Sequence, residues 1–416
     1  MSALLWFAAI LAALLVGAYV FRLAGQAGTG NAPKFRDMSF GVAFGYVLAA
    51  ALFVWAIYYY FQPTIPESGV PNAGVMFFRW AVHGFIIAAV AAYVFRLLGR
   101  LVGTQGSRKL FRSMPLTAAF GILVVLIYAF VAIFAGAIAP YGQSEILGAA
   151  NVVVGGNPDF GGSPDHLLGT DQIGRDILSR VIYGAQNTVG IAFVTTLLAF
   201  VIGASLGFLA ATLQGWLDQL LSRSVDVLMA IPSLIFALLL MTIAWVWAEK
   251  LGIPLTIFMI VIIAIIDSTR VFRLARAVGL NIVVMDYIEA AKLRGEGLGY
   301  LVFKEILPNA LAPLLAEFGL RFCFVFLTIA ALSFLGVGIQ PPLADWGTMV
   351  RDLAPFLSSA SIVNAEYATN LPTEVLMGEM YKSLFPFFPA GCIALLTIGV
   401  NFVVDWMLHK TSGLKE

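Results

Sequence analysis

Nine stretches of this chain are apolar for about as long as a helix needs to cross a bilayer. They run 3–23, 40–61, 77–98, 116–139, 185–212, 224–248, 254–272, 309–337 and 384–408. A hydrocarbon core about 30 Å thick takes roughly 20 residues of helix, because in lipid each backbone N–H and C=O must find its partner within the segment. Composition removes the water-soluble alternative. The chain is 61% hydrophobic and only 11% charged, where about 25% charged is usual for a soluble domain. The fold class read from this is an all-α polytopic membrane protein of about nine spans. The first run, Ala3 to Leu23, is too long for a cleaved leader and lacks a basic start, so it reads as a retained span.

Orientation follows from Lys and Arg, which are enriched in cytoplasmic loops. Arg22, Lys34 and Arg36 follow the first span, and 62–75 has no basic residue. Arg96, Arg100, Arg108, Lys109 and Arg112 then crowd one short connection. Segment 140–184 holds only Arg175 and Arg180, whereas 270–305 carries six basic residues. The alternation predicts the N-terminus outside and the C-terminus in the cytoplasm. Basic connections at 24–39 and 99–115 set off a three-span block, so 1–115 reads as an accessory block with its linker and 116–416 as the main membrane domain. Within the latter, 140–184 and 338–383 are expected outside, and 273–308 inside.

The inside segment begins at Asp286, passes Glu289, Ala290, Ala291 and Gly295, and ends at Glu305, Leu307, Pro308 and Asn309. Its residue types predict a short amphipathic helix, a glycine break, a second short helix and a proline restart. Ala290 and Ala291 are small enough for close packing against another surface. Gly295, with Gly297 and Gly299 after it, permits a sharp reversal, and Pro308 suits a first helical turn. Such an element, held between two spans, can transmit a push from a partner.

This pattern resembles the coupling loop of binding-protein-dependent ABC importer permeases: Glu-Ala-Ala, three residues, Gly, then a Leu-Pro ending. Two further stretches sharpen the resemblance to the C-type permease of the dipeptide/oligopeptide/nickel branch. One comprises His166, Gly169, Thr170, Asp171, Gly174, Arg175, Asp176, Ser179 and Arg180. The other runs from Leu332 through Gly336, Gly338, Gln340, Pro341 and Pro342 to Asp345, Trp346 and Gly347. The resemblance covers about 116–408 and implies a six-helix type I importer core. This chain departs from the pattern in four places. Glu305 stands where the family often has His, the approach Ile282 to Met285 is apolar, Thr328 to Ala331 lacks an acidic residue, and three spans precede the core.

The resemblance implies ATPase-coupling roles for Glu289, Ala290, Ala291, Gly295, Glu305, Leu307 and Pro308. It also implies a homologous second permease, two ABC ATPase subunits, an extracytoplasmic solute-binding protein, and peptide as cargo, with nickel, glutathione or opine-like solutes behind. ATP and Mg would be bound by the partner ATPases and not by this chain. The sequence agrees: it has no Gly-Lys pair, hence no phosphate-binding P-loop.

Other residues carry two readings each. Asp171, Arg175 and Asp176, expected on an outside helix, are either contacts of the pore mouth and binding protein or a local ion pair. Glu317 and Arg321 share a helix face at i,i+4. They are either a pair on the substrate path or mutual neutralisation at a subunit interface, and the second is favoured. Arg223 and Asp226 are expected near the end of span 224–248. Gly203 and Gly207 form a small-xxx-small pair suited to close helix packing. His83, His166 and His409 are far apart, so no metal site is expected, and no catalytic set is present. Cys323 and Cys392 sit in apolar runs as packing residues. A net charge of +1 gives no basic face for nucleic acid. The rival function is a transporter driven by H⁺ or Na⁺, which calls for carboxylates in broken helices and two related halves; one charge pair and no halves are visible.

Overall fold

The computed structural model describes residues 2–28, 38–66, 69–359 and 371–411. Lys34, Arg36 and residues 360–370 of the long loop fall outside them. Among the described residues the regular structure is helical, with only isolated bridges at Val153–Gly162 and Thr170–Asp176. Eight helices among the described residues are long and apolar enough to cross a membrane. The ninth expected stretch lies in α1 (Ser2–Gly28), whose described apolar part is Ile10–Gly25.

The chain packs as two compact units, Met1–Gly84 and Phe85–Glu416. In the first, α1 meets α2 (Phe40–Tyr60), and α3 (Ala73–Val102) begins. Arg79 of α3 closes the end of α2 by donating to the Tyr60 and Gln62 carbonyls at 2.7 and 2.6 Å. A helix end leaves such carbonyls without partners, and a guanidinium fork satisfies two at once.

The second unit holds the site. A short helix, α4 (Gln105–Ser113), precedes α5 (Leu116–Ile138). Then come α6 (Ile177–Leu213), α7 (Gly215–Met229), α8 (Ser233–Leu251) and α9 (Leu255–Val283). They are followed by α10 (Asp286–Leu293), α11 (Leu298–Phe334), α12 (Trp346–Leu353), α13 (Thr373–Lys382) and α14 (Phe387–Thr411). The expected span 224–248 is in fact two helices. Pro232 lacks an N–H and disfavours helix in the residue before it, so the chain breaks at 230–232 and restarts as α8. Arg223 and Asp226 therefore lie on α7, where Asp226 pairs with Arg273 of α9 at 2.5 Å.

Small residues decide which helices meet. A Cβ on Gly203 would stand 2.5 Å from the Ser268 carbonyl oxygen, and one on Gly207 would stand 2.7 Å from that of Phe272. These glycines let α6 and α9 touch backbone to backbone. Lipid supplies no hydrophobic drive for association, so van der Waals contact at such seams does the holding. A second seam, Gly121 against Gly399, joins α5 to α14.

Among the described residues the helical ladder widens twice to i→i+5 bonding: Ala185–Val189 in α6 and Leu301–Ile306 in α11. In α11 this corrects the expected short helix and proline restart. The ring of Pro308 crowds the carbonyl four residues back, and that residue, Lys304, lies in the widened turn. The helix passes through Pro308 without stopping and reaches Phe334.

Candidate functional site

Helix α11 joins two differently built regions. Its 37 residues span about 55 Å at 1.5 Å per residue. At its start is the segment 286–297, and at its end the chain enters 335–345.

At the start, α10 lies on the rest of the unit through Ile288 and Ala291, both fully buried. They pack with Ile282, Val283, Leu301, Val302 and Ile306. The apolar approach at 282–285 thus places two of its residues beneath α10. Glu289 and Ala290 face away and are exposed. The alanine pair therefore divides: Ala290 alone is open to another surface, and Ala291 faces the chain's own core. Gly295 has φ +81, a left-handed conformation that costs a residue with Cβ about 1 kcal/mol or more. The reversal rests on it alone, since Gly297 keeps φ −76. Leu293 just before the turn is 83% exposed, and Val284, Met285 and Leu298 are exposed too. Arg294 approaches Glu296 at 3.8 Å and Glu305 at 4.0 Å. Leu307 is half-buried and Pro308 exposed on the first turns of α11.

At the other end, the stretch 332–347 closes on the widened turn of α6, and the stretch 166–180 before it lies against α12, where Gln172 donates to the Asp352 carbonyl at 2.7 Å. Asp345 caps α12, accepting from the Thr348 N–H at 2.8 Å, and takes the Thr188 hydroxyl at 3.0 Å. Thr188 in turn accepts from the Trp346 N–H. Trp346, 1% exposed, donates its indole N–H to the Val181 carbonyl at 2.9 Å and meets Tyr128 and Phe326 edge-on. Asn187 donates to Gln143 and to the Ala344 carbonyl. Neither Thr188 nor Gln143 stood out in the sequence. Their only signal is a polar residue inside or beside an apolar run, which a helix facing lipid would not keep.

Asp171, Arg175 and Asp176 are not on a helix; the helix starts after them. Asp176 is its N-cap, taking the Ser179 N–H at 2.7 Å, and its other oxygen lies 3.0 Å from Nδ1 of His166. Asp171 folds its own turn, accepting from the N–H groups of Ile173 and Arg175 and from Nε of Arg175 at 2.7 Å. An acidic side chain bonding to backbone donors two and four residues on favours a turn over a helix.

Between the ends, Arg321 sits in the bundle beside Glu317 at 2.7 Å and Asp267 of α9 at 3.8 Å, its guanidinium over the Phe324 ring. The Glu317 contact has the distance but not the angle of a hydrogen bond, so Nε and Nη1 are both buried without one. The expected pair is thus a triad. Asp267, an acidic residue in the sequence just before Arg270, turns instead toward Arg321, a partner that nothing local in the chain couples to it.

Residues 203–410 match the family described as binding-protein-dependent transport system inner membrane component. The chain belongs to this family. It is 35% identical over 246 residues to the dipeptide transport system permease protein DppC of Haemophilus influenzae, covering 59% of this chain and 80% of that one. With DppC of Escherichia coli K12 it shares 38% over 243 residues, 58% and 78% of the two chains. With the oligopeptide transport system permease protein OppC of Bacillus subtilis it shares 32% over 296 residues, 71% and 84% of the two. The protein is a multi-pass inner-membrane permease component, and the matched region contains all of α10 and α11.

Proposed function

We propose that this permease forms half of a peptide-translocating pore and is driven by separate ATPase subunits that dock on 286–308. One observation carries the reading. An exposed surface made of Glu289, Ala290 and Leu293 rests on a helix whose opposite side, Ile288 and Ala291, is buried against α11. A load applied to the outer face passes directly to a long membrane helix. ATP-driven closure of two ABC ATPases would move this lever and switch the pore between inward- and outward-facing states. The partners would hold ATP and Mg, and a homologous permease would supply the other half of the pore.

The distribution of Lys and Arg supports placing 286–308 in the cytoplasm, with the N-terminus and the cradle around Trp346 outside. A solute-binding protein would then deliver cargo at the cradle, near Asp171, Arg175 and Asp176. Peptide is the cargo favoured by the names of the relatives. The block 1–115 would be an accessory to the importer domain 116–416.

Purification of the tagged chain from its native membrane should bring down an ATPase and a second permease. Reconstituted with them and a binding protein, it should take up peptide only with ATP. Uptake by the isolated chain on a proton or sodium gradient would overturn the reading.

A further inference from the structure

We propose that α4, with the last turns of α3, forms a binding site for an anionic phospholipid. From Ser68 to Ser144 the sequence has no Asp or Glu, yet Arg96, Arg100, Arg108, Lys109 and Arg112 fall within seventeen consecutive residues. The cations are held in place by the fold. Arg96 and Arg100 each donate through Nε to the Phe111 carbonyl, at 3.3 and 3.2 Å, and Arg96 also reaches the Arg112 carbonyl. These bonds fasten the C-terminal carbonyls of α4 to α3. Arg108 donates through Nε to Gly103 at 2.6 Å. Each guanidinium has five N–H donors, so each keeps donors for a ligand.

The helix itself is amphipathic. Its apolar residues Leu110 and Phe111 turn inward, with Phe111 edge-on to Phe95 and packed where Gly99 leaves room for its ring. Arg108, Lys109 and Arg112 are exposed. A nine-residue helix between two apolar spans lies at the membrane surface, where a basic cluster meets headgroups. Leu98, Leu101 and Val102, the last 81% exposed, occupy the same final turns of α3. Fixed cations beside bare aliphatic side chains match an amphiphile, phosphate to the arginines and acyl chains along the leucines. An acidic protein surface or a free anion would use the first feature and leave the second uncovered. Trp406 of α14 packs into the same small cluster, and the residue before it, Asp405, is an exposed acid.

The test uses the full chain, purified and delipidated in detergent. It is exposed to equal amounts of phosphatidylglycerol and phosphatidylcholine with matched acyl chains, and retained lipid is measured by native mass spectrometry. The expected result is selective retention of phosphatidylglycerol. Each surface cation contributes on the order of fivefold to anionic-lipid binding, so R108Q/K109Q/R112Q should weaken retention by about 100-fold, while R108K/R112K should preserve it. Arg96 and Arg100 are left intact because they hold the helix. Equal retention of the two lipids, or unchanged retention by the triple variant, would overturn the proposal. So would full displacement by the deacylated headgroup, since the aliphatic half of the site would then have no role. Loss of a protein partner from the triple variant with phosphatidylglycerol retention intact would assign the patch to that partner instead.

Discussion

The two ends of α11 show opposite ways of using polar residues. At the cradle, Asp345, Thr188, Thr348 and Trp346 are buried and bond to one another or to nearby backbone. At the α10 end, only apolar side chains face inward, and among the described residues no hydrogen bond or ion pair reaches the Glu289 carboxylate. A buried polar network is stable only when complete, so the cradle is a rigid fixture. An apolar seat fixes position without consuming polar groups, so α10 keeps its outer face free for a partner.

The largest effect expected from breaking this contrast is in the cradle. Trp346→Ala removes the ring between Tyr128 and Phe326 and its indole hydrogen bond to the Val181 carbonyl. It should cost about 3–5 kcal/mol, read as a large drop in the unfolding temperature of the detergent-solubilised chain. An unchanged midpoint would mean that the cradle does not hold the fold.

Next comes the alanine pair, which separates the two faces of α10. Ala291→Phe overpacks a closed seat and should destabilise by about 1–3 kcal/mol. Ala290→Phe should stay within about 0.5 kcal/mol and yet abolish co-purification of an ATPase. Equal stability losses at the two positions would remove the distinction between inner and outer face. Gly295→Val forces a branched residue to φ +81 and should cost about 1–2 kcal/mol. ATP hydrolysis should persist in the assembled complex while peptide uptake falls, and parallel loss of both would argue against a coupling role.

The smallest effect is titratable. Asp218 of α7 takes two hydrogen bonds from Arg276 of α9, at 2.5 and 2.6 Å. Donation by Arg276 holds its carboxyl below the ordinary carboxylate range. A group depressed in the folded state stabilises above its unfolded pKa, about 3.9, and that contribution is lost as pH falls through the lower folded value. Protection of the α7 amides, relative to their intrinsic exchange rates at each pH, should therefore fall more steeply in acid for the wild type than for Asp218→Asn. Identical acid profiles would remove the pair from the account.

Much of this was legible in the residues. The spans were, because lipid makes each segment satisfy its own backbone. The seam at Gly203 and Gly207 was legible from the spacing of two small residues. The segment at 286–308 was visible as a motif, but its inner and outer faces were not. Asp171, Arg175 and Asp176 were seen as a group and misplaced on a helix, because their side chains bond to the backbone and end helical structure instead of joining it.

By itself the sequence determined a helical membrane protein, the approximate limits of its spans and the segment that turns at Gly295. These follow from short-range physics: hydrogen bonds a few residues apart, the length of apolar runs, and the one residue type that accepts a left-handed turn without strain. Tertiary structure alone decided that Ala291 is seat and Ala290 surface, that Asp267 joins Glu317 and Arg321, and that Asp345 and Trp346 close on the widened turn of α6. Those outcomes depend on which helices touch and at what rotation. Contacts between elements far apart in the chain set that rotation, and no local pattern records it.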